Sequence, residues 1–389
     1  MDVAHLCSEL VAIRSENPPG ATRDVIYFLA DYLEGLGLVT EISEYPGNRC
    51  NLTTGPKKSD LLFCGHVDTV PALDVGWDRP PFSGVVENGM VHGRGATDMK
   101  GGVAAMVDAL AQWIETENEL PAQLALVCDE EAGSEFGIVQ LLKSDTISPC
   151  DCIIAEPTPQ YSPCIGQKGV IRLKAKFEGI PGHGSLYPYS GTSAIAEACS
   201  FISVLHELSN HRFPADPGLE MLISHSGVLL EEIFGIPEIE AALRSITFNP
   251  GIVSGGEGIN VVAQQCTLDA ELRVPWGCST EKILQVLRRK SSGTIEVLDR
   301  ADPSLILASE QIVTETCQAI QEVCGHEGVP FVQWAASDAR FLRAAGFRAI
   351  EYGPGEIKTI HGTNECVRTK DLKRASDVYY SLLGRYAGS

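Results

Sequence analysis

Short apolar segments that end in polar, metal-capable residues are the feature that most constrains the fold of this chain. Four of them are residues 60–65 before His66, residues 122–128 before Asp129-Glu130-Glu131, residues 151–155 before Glu156, and residues 347–352 shortly before His361. They alternate with helical periodicity over residues 2–14, 21–36 and 100–115, which predicts an α/β fold. Sites in open α/β sheets form at the carboxyl ends of strands, so we expect these polar residues to converge there.

The charge of the chain argues against polyanionic partners. The 389 residues carry a formal net charge of −21, with 44% hydrophobic and 21% charged residues. Nucleic acids and anionic membrane surfaces attract clustered Lys and Arg, so we predict neither as a partner. The hydrophobic and charged fractions are those of a soluble globular protein with a core of ordinary size.

Cysteine usage and the N-terminus predict a cytoplasmic protein. The 13 cysteines are scattered and form no CxxC pair, which favours a reducing compartment. The first residues, MDVAHLCSELVAIRSENPPG, have no basic segment before an apolar one, so we expect no signal peptide. The sequence also lacks a run of about eighteen uncharged apolar residues, so no membrane span is predicted.

The middle of the chain has a different pattern, which predicts a second domain. Alternating segments at 168–178 and 264–274, helical segments at 191–208 and 279–290, and a strand at 294–299 favour a small antiparallel sheet with two helices on one face. The Pro-containing segment 209–250 is interpreted as an elaboration with helices at 227–234 and 237–245. We therefore predict a discontinuous catalytic domain, residues 1–166 and 292–389, around an inserted domain, residues 167–291.

Two histidines and four carboxylates form a mixed nitrogen and oxygen donor set. They are His66, Asp98, Glu130, Glu131, Glu156 and His361. Imidazole with carboxylate suits zinc, cobalt or manganese, and two ions that share a bridging carboxylate fit this set better than one ion held by three histidines. The alternative from the residues alone is that both histidines are ordinary satisfied side chains and that Asp98 only caps the helix from residue 100.

Six motifs then resemble one known family. They are HVDTVPA at 66–72, GRGATDMKGG at 93–102, DEEAGSEFG at 129–137, AEPT at 155–158, PGHGS at 181–185 and HGTNE at 361–365. Their order is similar to that of the co-catalytic zinc family of aminoacylase, acetylornithine deacetylase, succinyl-diaminopimelate desuccinylase and carboxypeptidase G. The resemblance implies a zinc-exopeptidase-like mixed sheet flanked by helices, with an inserted ferredoxin-like α+β lid and dimerisation domain.

The resemblance also implies a role for each residue at the predicted edge of the sheet. His66 and Glu156 would bind one ion, Glu131 and His361 the other, Asp98 would bridge both, Asp68 would orient His66, and Glu130 would be the general base on a bridging water. Two divalent ions per chain are therefore expected, most simply zinc, with cobalt or manganese as alternatives.

Substrate contacts are implied in and beside the inserted domain. His183 resembles the histidine that reaches into a partner subunit's site and steadies the oxyanion, which implies a homodimer through the inserted domain. Asn260 and Arg273 resemble the pair that grips the substrate carboxylate, although Arg273 could instead pair with an acidic neighbour. Gly353, in a Gly-Pro-Gly turn, is expected to shape the substrate pocket.

The function implied is metal-dependent hydrolysis of the amide bond of an N-acyl amino acid, as in succinyl-diaminopimelate desuccinylase or acetylornithine deacetylase. Ala335-Ala336 stand where the desuccinylase branch has Gly-Thr, so the acyl group is left unassigned. The alternative within enzymes is a metallo-carboxypeptidase or dipeptidase acting on short peptides. An alternative of another class is a metal-free binding protein that has lost catalysis. A serine or cysteine hydrolase is disfavoured because no GxSxG-type nucleophile elbow is present.

Overall fold

The chain forms two compact units. The computed structural model describes residues 1–117 and 119–387. The first unit comprises the described residues within 1–165, 305–331 and 337–389, and the second comprises residues 166–304 and 332–336.

The part of the chain that the structure describes contains eleven α-helices. They are α1 (Val3–Ala12), α2 (Arg23–Gly35), α3 (Lys100–Thr116), α4 (Ile138–Lys143), α5 (Ala194–Ser209), α6 (Pro217–Phe234), α7 (Glu240–Arg244), α8 (Thr280–Lys290), α9 (Gln311–Cys324), α10 (Ala339–Ala344) and α11 (Thr369–Tyr386). Short 3₁₀ turns lie at Glu130–Ala132, Gly184–Leu186 and Ile357–Thr359. Within residues 1–117 and 119–387, none of the helices combines the length and the apolar character needed to cross a bilayer.

The same described residues contain sixteen β-strands. They are β1 (Thr40–Tyr45), β2 (Arg49–Thr54), β3 (Leu61–His66), β4 (Val86–Glu87), β5 (Met90–His92), β6 (Ala122–Val127), β7 (Asp151–Ile154), β8 (Cys164–Gln167), β9 (Gly169–Glu178), β10 (Thr247–Gly255), β11 (Gln265–Val274), β12 (Thr294–Ala301), β13 (Ser304–Leu305), β14 (Phe331–Gln333), β15 (Arg348–Glu351) and β16 (Cys366–Arg368).

A nine-stranded mixed sheet organises the first unit. Its order is β1-β2-β6-β3-β7-β15-β8-β13, with β14 paired to β8. The central strands β6, β3, β7 and β15 run parallel to one another, whereas β1, β2 and β8 pair antiparallel with their neighbours. The carboxyl ends of four adjacent parallel strands therefore lie at one edge of the sheet.

The central strands are continuous apolar runs because they are buried on both faces. Every residue of β3, β6 and β7 is buried, and parallel strands covered by helices on both sides show this pattern. Helix α3 approaches closely enough that a Cβ on Gly102 would lie 2.2 Å from the Ala155 carbonyl oxygen. The predicted α/β fold with a mixed, helix-flanked sheet is confirmed.

The second unit contains a four-stranded antiparallel sheet. Its strand order is β10-β11-β9-β12. Along the chain the elements run β9-α5-α6-α7-β10-β11-α8-β12, which is the ferredoxin-like βαββαβ arrangement with α6 and α7 added between α5 and β10. The core between sheet and helices includes Leu173, Phe201, Leu268, Leu272 and Leu287.

Two details of the second unit differ from expectation. Strand β10 was not predicted: it begins within the last residues of the segment 209–250 and continues to Gly255. Its sequence contains Pro250 and Gly251, and its residues from Asn249 to Gly255 are exposed, so it lacks the apolar pattern of a buried strand. Proline is tolerated on such an edge strand, where one side of the backbone needs no partner. The unit also extends to Ser304 rather than ending at residue 291, because β12 pairs with β9.

Candidate metal centre

The carboxyl edge of the parallel strands carries most of the candidate ligands. His66 is the last residue of β3, Glu130 and Glu131 follow β6 after a short turn, and Glu156 follows β7. Asp98 lies just before α3, and His361 lies in the loop between β15 and β16. The neighbouring ends of β6, β3 and β7 bring these side chains to one place.

Two groups of donor atoms form around a shared carboxylate. In one group His66, Asp98 and Glu156, and in the other Asp98, Glu131 and His361, each offer one ligand atom within 4.8 Å of the others. The His66 Nε2 lies 3.1 Å from Asp98 Oδ1, and the His361 Nε2 lies 3.2 Å from Asp98 Oδ2. Each oxygen of Asp98 therefore faces a different histidine, which is the arrangement that a bridging ligand requires.

The remaining distances complete the two groups. The His66 Nε2 is 3.7 Å from Glu156 Oε1, and the His361 Nε2 is 3.3 Å from Glu131 Oε2. The His66 side chain is 1% exposed, whereas that of His361 is 50% exposed. The two groups therefore differ in access to solvent.

The tautomer of His66 follows from its neighbour. The Nδ1 atom lies 3.0 Å from the backbone carbonyl oxygen of Asp68, which can only accept a hydrogen bond. Nδ1 is therefore the protonated nitrogen, and the lone pair of neutral His66 is on Nε2, facing Asp98 and Glu156. Hydrogen bonding of the far nitrogen commonly orients metal-binding histidines in this way.

Asp68 also holds the segment that carries both glutamates. Its Oδ1 accepts from the Glu130 backbone N–H and its Oδ2 from the Glu131 backbone N–H, each at 3.2 Å. Asn17 Nδ2 donates to Asp68 Oδ2 and to Asp129 Oδ1, both at 2.9 Å, and is itself buried. Asn17 has no role that could be assigned from sequence, because an amide side chain alone carries no motif signal.

Burial strongly perturbs the carboxylates. Burial raises the pKa of Glu130 and Glu156 well above the ordinary value and also raises that of Glu131, with the Asp98 charge adding to the shift at Glu156 and Glu131. Burial opposes ionisation of Asp98 as well, but hydrogen bonds from His361 and His66 hold its pKa below the ordinary value. Crowded carboxylates of this kind favour a bound cation.

The histidines respond in the opposite direction. Burial disfavours the charged form of His66, but its interactions with Asp68 and Asp98 outweigh this and raise its pKa. Hydrogen bonds to Asp98 and Glu131 raise the pKa of His361 to about 10. In the absence of a cation, His361 therefore binds a proton at neutral pH, and the carboxylates around His66 favour its protonated form.

The donor set fits divalent ions of the zinc type. Each group combines one imidazole nitrogen with carboxylate oxygens, a mixture suited to zinc, cobalt or manganese. Among the residues that the structure describes, Glu131 Oε1 is buried without a hydrogen-bond partner. A cation accounts for such an unsatisfied buried acceptor in the group with Asp98 and His361. The exclusively oxygen ligands typical of calcium and magnesium sites are not what these groups offer.

Gly353 lies against the strand end that carries Glu156. A Cβ at this position would meet the Ala155 carbonyl oxygen at 2.2 Å and the Glu156 carbonyl oxygen at 2.8 Å. The Gly353 carbonyl oxygen accepts from the Thr158 backbone N–H at 3.1 Å. Only glycine allows this close approach, so Gly353 fixes the backbone around Glu156.

His183 and Asn260 come together at one end of the sheet in the second unit. The Gly184 backbone N–H donates to the Asn260 carbonyl oxygen at 2.8 Å. His183 is exposed, and its Nδ1 accepts from the Ser185 backbone N–H at 3.3 Å and lies 2.8 Å from the Ser185 hydroxyl. A backbone N–H can only donate, so Nδ1 is the acceptor and Nε2–H of the neutral ring is free to donate.

Arg273 lies at the other end of that sheet. Strand β11 begins at Gln265, beside the His183 and Asn260 end, and eight residue steps of about 3.3 Å put Arg273 roughly 26 Å further along. Within one chain, Asn260 and Arg273 are therefore not brought together, and their implied contact with one substrate carboxylate stays a prediction. The separation arises because Asn260 precedes β11, whereas Arg273 is the next-to-last residue of that strand.

The acidic neighbour considered for Arg273 is present. Arg273 Nε and Nη2 lie 2.9 Å and 2.8 Å from Glu271 Oε1, and Arg172 Nε donates to Glu271 Oε2 at 2.9 Å. Arg273 Nη1 is buried without a hydrogen-bond partner. Arg273 is thus oriented by Glu271 and retains one unsatisfied donor.

Comparison with known proteins agrees with this arrangement. Residues 62–385 match the Peptidase family M20/M25/M40. A succinyl-diaminopimelate desuccinylase of Alkalilimnicola ehrlichii is 30% identical, with 100% of both chains covered. An M20 family metallo-carboxypeptidase from Sulfolobus solfataricus has a TM-score of 0.80 at 20% identity, with 100% of both chains covered. Human carnosine dipeptidase 1 has a TM-score of 0.74 at 16% identity, covering 100% of this chain and 97% of that one.

These matches confirm the resemblance drawn from the six motifs. The family match and the desuccinylase relative both extend through the segments that carry the two donor groups. The structural neighbours share the fold at lower identity. The chain therefore belongs to the Peptidase family M20/M25/M40 and is a hydrolase of that metal-dependent family.

Proposed function

We propose that the protein hydrolyses the amide bond of an N-acyl amino acid with the help of two divalent ions. The single observation that carries this proposal is the position of Asp98, whose two carboxylate oxygens face His66 and His361 at 3.1 Å and 3.2 Å. His66 and Glu156 would hold one ion and Glu131 and His361 the other, with Asp98 shared. Zinc suits these donors best, and cobalt or manganese are alternatives.

Bound ions would polarise the substrate carbonyl and make water a better nucleophile. The remaining steps fall to the chain's own residues. Glu130 accepts the proton of the attacking water and later donates it to the leaving amine, a role helped by a pKa that burial raises. Asp68 fixes the Glu130 backbone N–H and the His66 ring, so the base and its neighbouring ligand keep their relative position.

The second unit supplies substrate contacts. Arg273 Nη1, buried and without a partner, is the donor left over for a substrate carboxylate, while Glu271 orients the guanidinium. Arginine binds carboxylates through planar, directional hydrogen bonds. His183 offers Nε2–H to an oxyanion, since its Nδ1 accepts from Ser185.

A homodimer reconciles these contacts. Asn260 and His183 lie at the opposite end of β11 from Arg273, so one substrate cannot meet both ends of the same sheet. We propose that the two ends of the sheet serve different sites, with His183 and Asn260 contacting substrate in the site of a second copy. Closed two-fold assembly provides this exchange in a symmetric way.

The acyl amino acid is favoured over a peptide by sequence identity. The relative that is 30% identical over its full length is named a succinyl-diaminopimelate desuccinylase. The second candidate, a carboxypeptidase or dipeptidase, is favoured by structural neighbours with those names, at 20% and 16% identity. Sequence identity over the whole chain is the stronger guide to substrate, since a fold supports many activities.

A substrate panel decides between the two candidates. Purified protein is depleted of metal, reloaded with zinc or cobalt, and assayed with N-succinyl and N-acetyl amino acids beside dipeptides and C-terminally blocked dipeptides. We expect the highest catalytic efficiency on an N-acyl amino acid with a free carboxylate. Preference for dipeptides would establish the second candidate, and full activity of the metal-depleted protein would reject both.

A further inference from the structure

A buried ion pair, Arg94 with Glu365, lies beside the candidate metal centre and has no role in the chemistry described above. Arg94 Nη1 and Glu365 Oε2 are 2.5 Å apart, and their side chains are 5% and 0% exposed. The two residues are 271 positions apart in the chain. Arg94 lies between β5 and α3, and Glu365 lies just before β16.

Glu365 holds the segment that presents Asp98. Its Oε1 accepts from the Thr97 backbone N–H at 2.9 Å and from the Asp98 backbone N–H at 3.0 Å. One carboxylate oxygen of Glu365 therefore accepts hydrogen bonds from the backbone of Thr97 and Asp98, and the other oxygen pairs with Arg94.

Arg94 holds the segment that presents His361. Its Nη2 donates to the His361 carbonyl oxygen at 3.2 Å. His361 has a φ of 59°, a left-handed conformation that residues other than glycine adopt only when their surroundings fix it. The His361 side chain is half exposed and its ring faces Asp98 and Glu131, so the contact from Arg94 acts on its backbone and not on its ring.

We propose that Arg94 and Glu365 are positioning residues that set the cation affinity of the group formed by Asp98, Glu131 and His361. The proposal rests on the two-ion site proposed above. The pair ties the backbone of Asp98 to the backbone of His361, so it fixes the separation of two donors in the same group. The group with His66 and Glu156 shares only Asp98, and its histidine is held by Asp68 instead.

A buried ion pair contributes little to the net stability of the fold, because desolvation of both charges offsets their attraction. Packed apolar side chains of similar volume stabilise such a position equally well. The pair contacts the backbone of two segments, one carrying Asp98 and the other carrying His361. Its role is therefore to fix the positions of these two ligands. Residues that hold metal ligands in this way typically change metal affinity by about tenfold to a hundredfold when replaced.

The test uses the double variant Arg94→Met/Glu365→Gln, which leaves no unpaired buried charge. The side-chain amide introduced by Glu365→Gln can still accept from the Thr97 and Asp98 N–H groups, whereas the His361 carbonyl loses its donor. Zn²⁺ is titrated into metal-depleted full-length protein and followed by calorimetry. Variants His361→Ala and His66→Ala identify which binding event belongs to which group, and circular dichroism verifies folding.

We expect one Zn²⁺ site of the double variant to weaken by about tenfold to a hundredfold, matching the site lost in His361→Ala, while the other stays within about threefold. Arg94→Lys keeps the charge and should recover part of the affinity. Arg385→Met removes another ion pair of the first unit, with Glu315, and should change neither site. Unchanged affinities, or equal weakening of both sites, in a folded variant would overturn the inference. Wild-type protein that binds no Zn²⁺ would instead reject the proposed function.

If the double variant does not fold, Arg94→Lys alone decides the matter. A lysine ammonium retains the pairing with Glu365 but replaces the planar fork that reaches two acceptors. Selective weakening of the His361 site by more than about threefold supports the inference. Retention of both wild-type affinities overturns it.

Discussion

At the scale of single residues, Glu130 and Glu131 are neighbours in sequence whose side chains face different surroundings. The Glu131 Oε2 lies 3.3 Å from His361, within one of the donor groups. Glu130 belongs to neither group, and its pKa is raised by burial. Both backbone N–H groups are held by the same carboxylate, that of Asp68. The two glutamates are therefore distinguished by the surroundings of their side chains and not by how their backbones are held.

We expect Glu130→Gln to fold, to keep both ions and to lose turnover by about a hundredfold to ten-thousandfold, because an amide cannot accept the proton. Glu131→Gln should lose affinity for one ion. Steady-state kinetics on an N-acyl amino acid, together with metal analysis after dialysis, separates the two effects. Loss of metal in Glu130→Gln with retention in Glu131→Gln would contradict the assignment, as would native turnover by Glu130→Gln.

The histidines make cation binding depend on pH. Interactions with carboxylates raise the pKa of His66 and bring that of His361 to about 10, so His361 is protonated in metal-free protein at pH 7 and the protonated form of His66 is favoured. A metal-bound imidazole must be neutral, so binding releases these protons and affinity rises with pH until the raised pKa values are reached. We expect release of at least about one proton per chain at pH 7.

Calorimetric titration of Zn²⁺ in buffers that differ in ionisation enthalpy measures this release directly. His361→Ala should release fewer protons than the native protein. An apparent binding enthalpy that is the same in all buffers would contradict the expectation.

At the scale of elements, the parallel strands bring site residues together, whereas the long strand β11 keeps two of them apart. Strands β6, β3 and β7 end side by side and bring their following residues together. Strand β11 separates its two ends and keeps Arg273 away from the end near Asn260. Arg273 is in turn oriented by Glu271 two residues earlier, on the same face of the strand.

We expect Arg273→Lys to lower kcat/KM for carboxylate-bearing substrates by about tenfold to a hundredfold, since a lysine cannot both pair with Glu271 and present a second directed donor. Metal content should not change. Arg172→Lys is the matched control, because Arg172 pairs with the other oxygen of Glu271 and has no proposed contact with substrate. Equal rates for Arg273→Lys and native protein on every such substrate would remove Arg273 from the site.

At the scale of the whole molecule, the proposed exchange of His183 between chains predicts complementation. His183→Ala and Glu130→Ala chains should each be nearly inactive. A hybrid dimer contains one site with an intact Glu130 and an intact His183. Random exchange of equal amounts should then restore about a quarter of the native activity, because half of the dimers are hybrid and half of their sites are complete.

Activity is measured before and after mixing under conditions where labelled chains are seen to exchange. Mixing His183→Ala chains with themselves is the control. No recovery despite demonstrated exchange would show that His183 acts within its own chain or has no part in the reaction.

The sequence by itself determined the central architecture and the chemistry of the donor set. Strands β3, β6, β7 and β15 were predicted to within about two residues, because burial on both faces makes a strand a continuous apolar run. The polar residues that follow these strands were identified for the same reason, because a polar residue marks the end of an apolar run. The bridging position of Asp98 came from the family resemblance, and its roles and those of the other site residues stay predictions.

Only the tertiary structure decided which distant residues support one another. Arg94 meets Glu365 across 271 positions, and Asn17 meets Asp129 across 112 positions. Strand β10 has an irregular sequence and gains its conformation from pairing with β11. Local propensity and periodicity act over a few residues, whereas these contacts depend on how separate elements pack, so no pattern within the chain could reveal them.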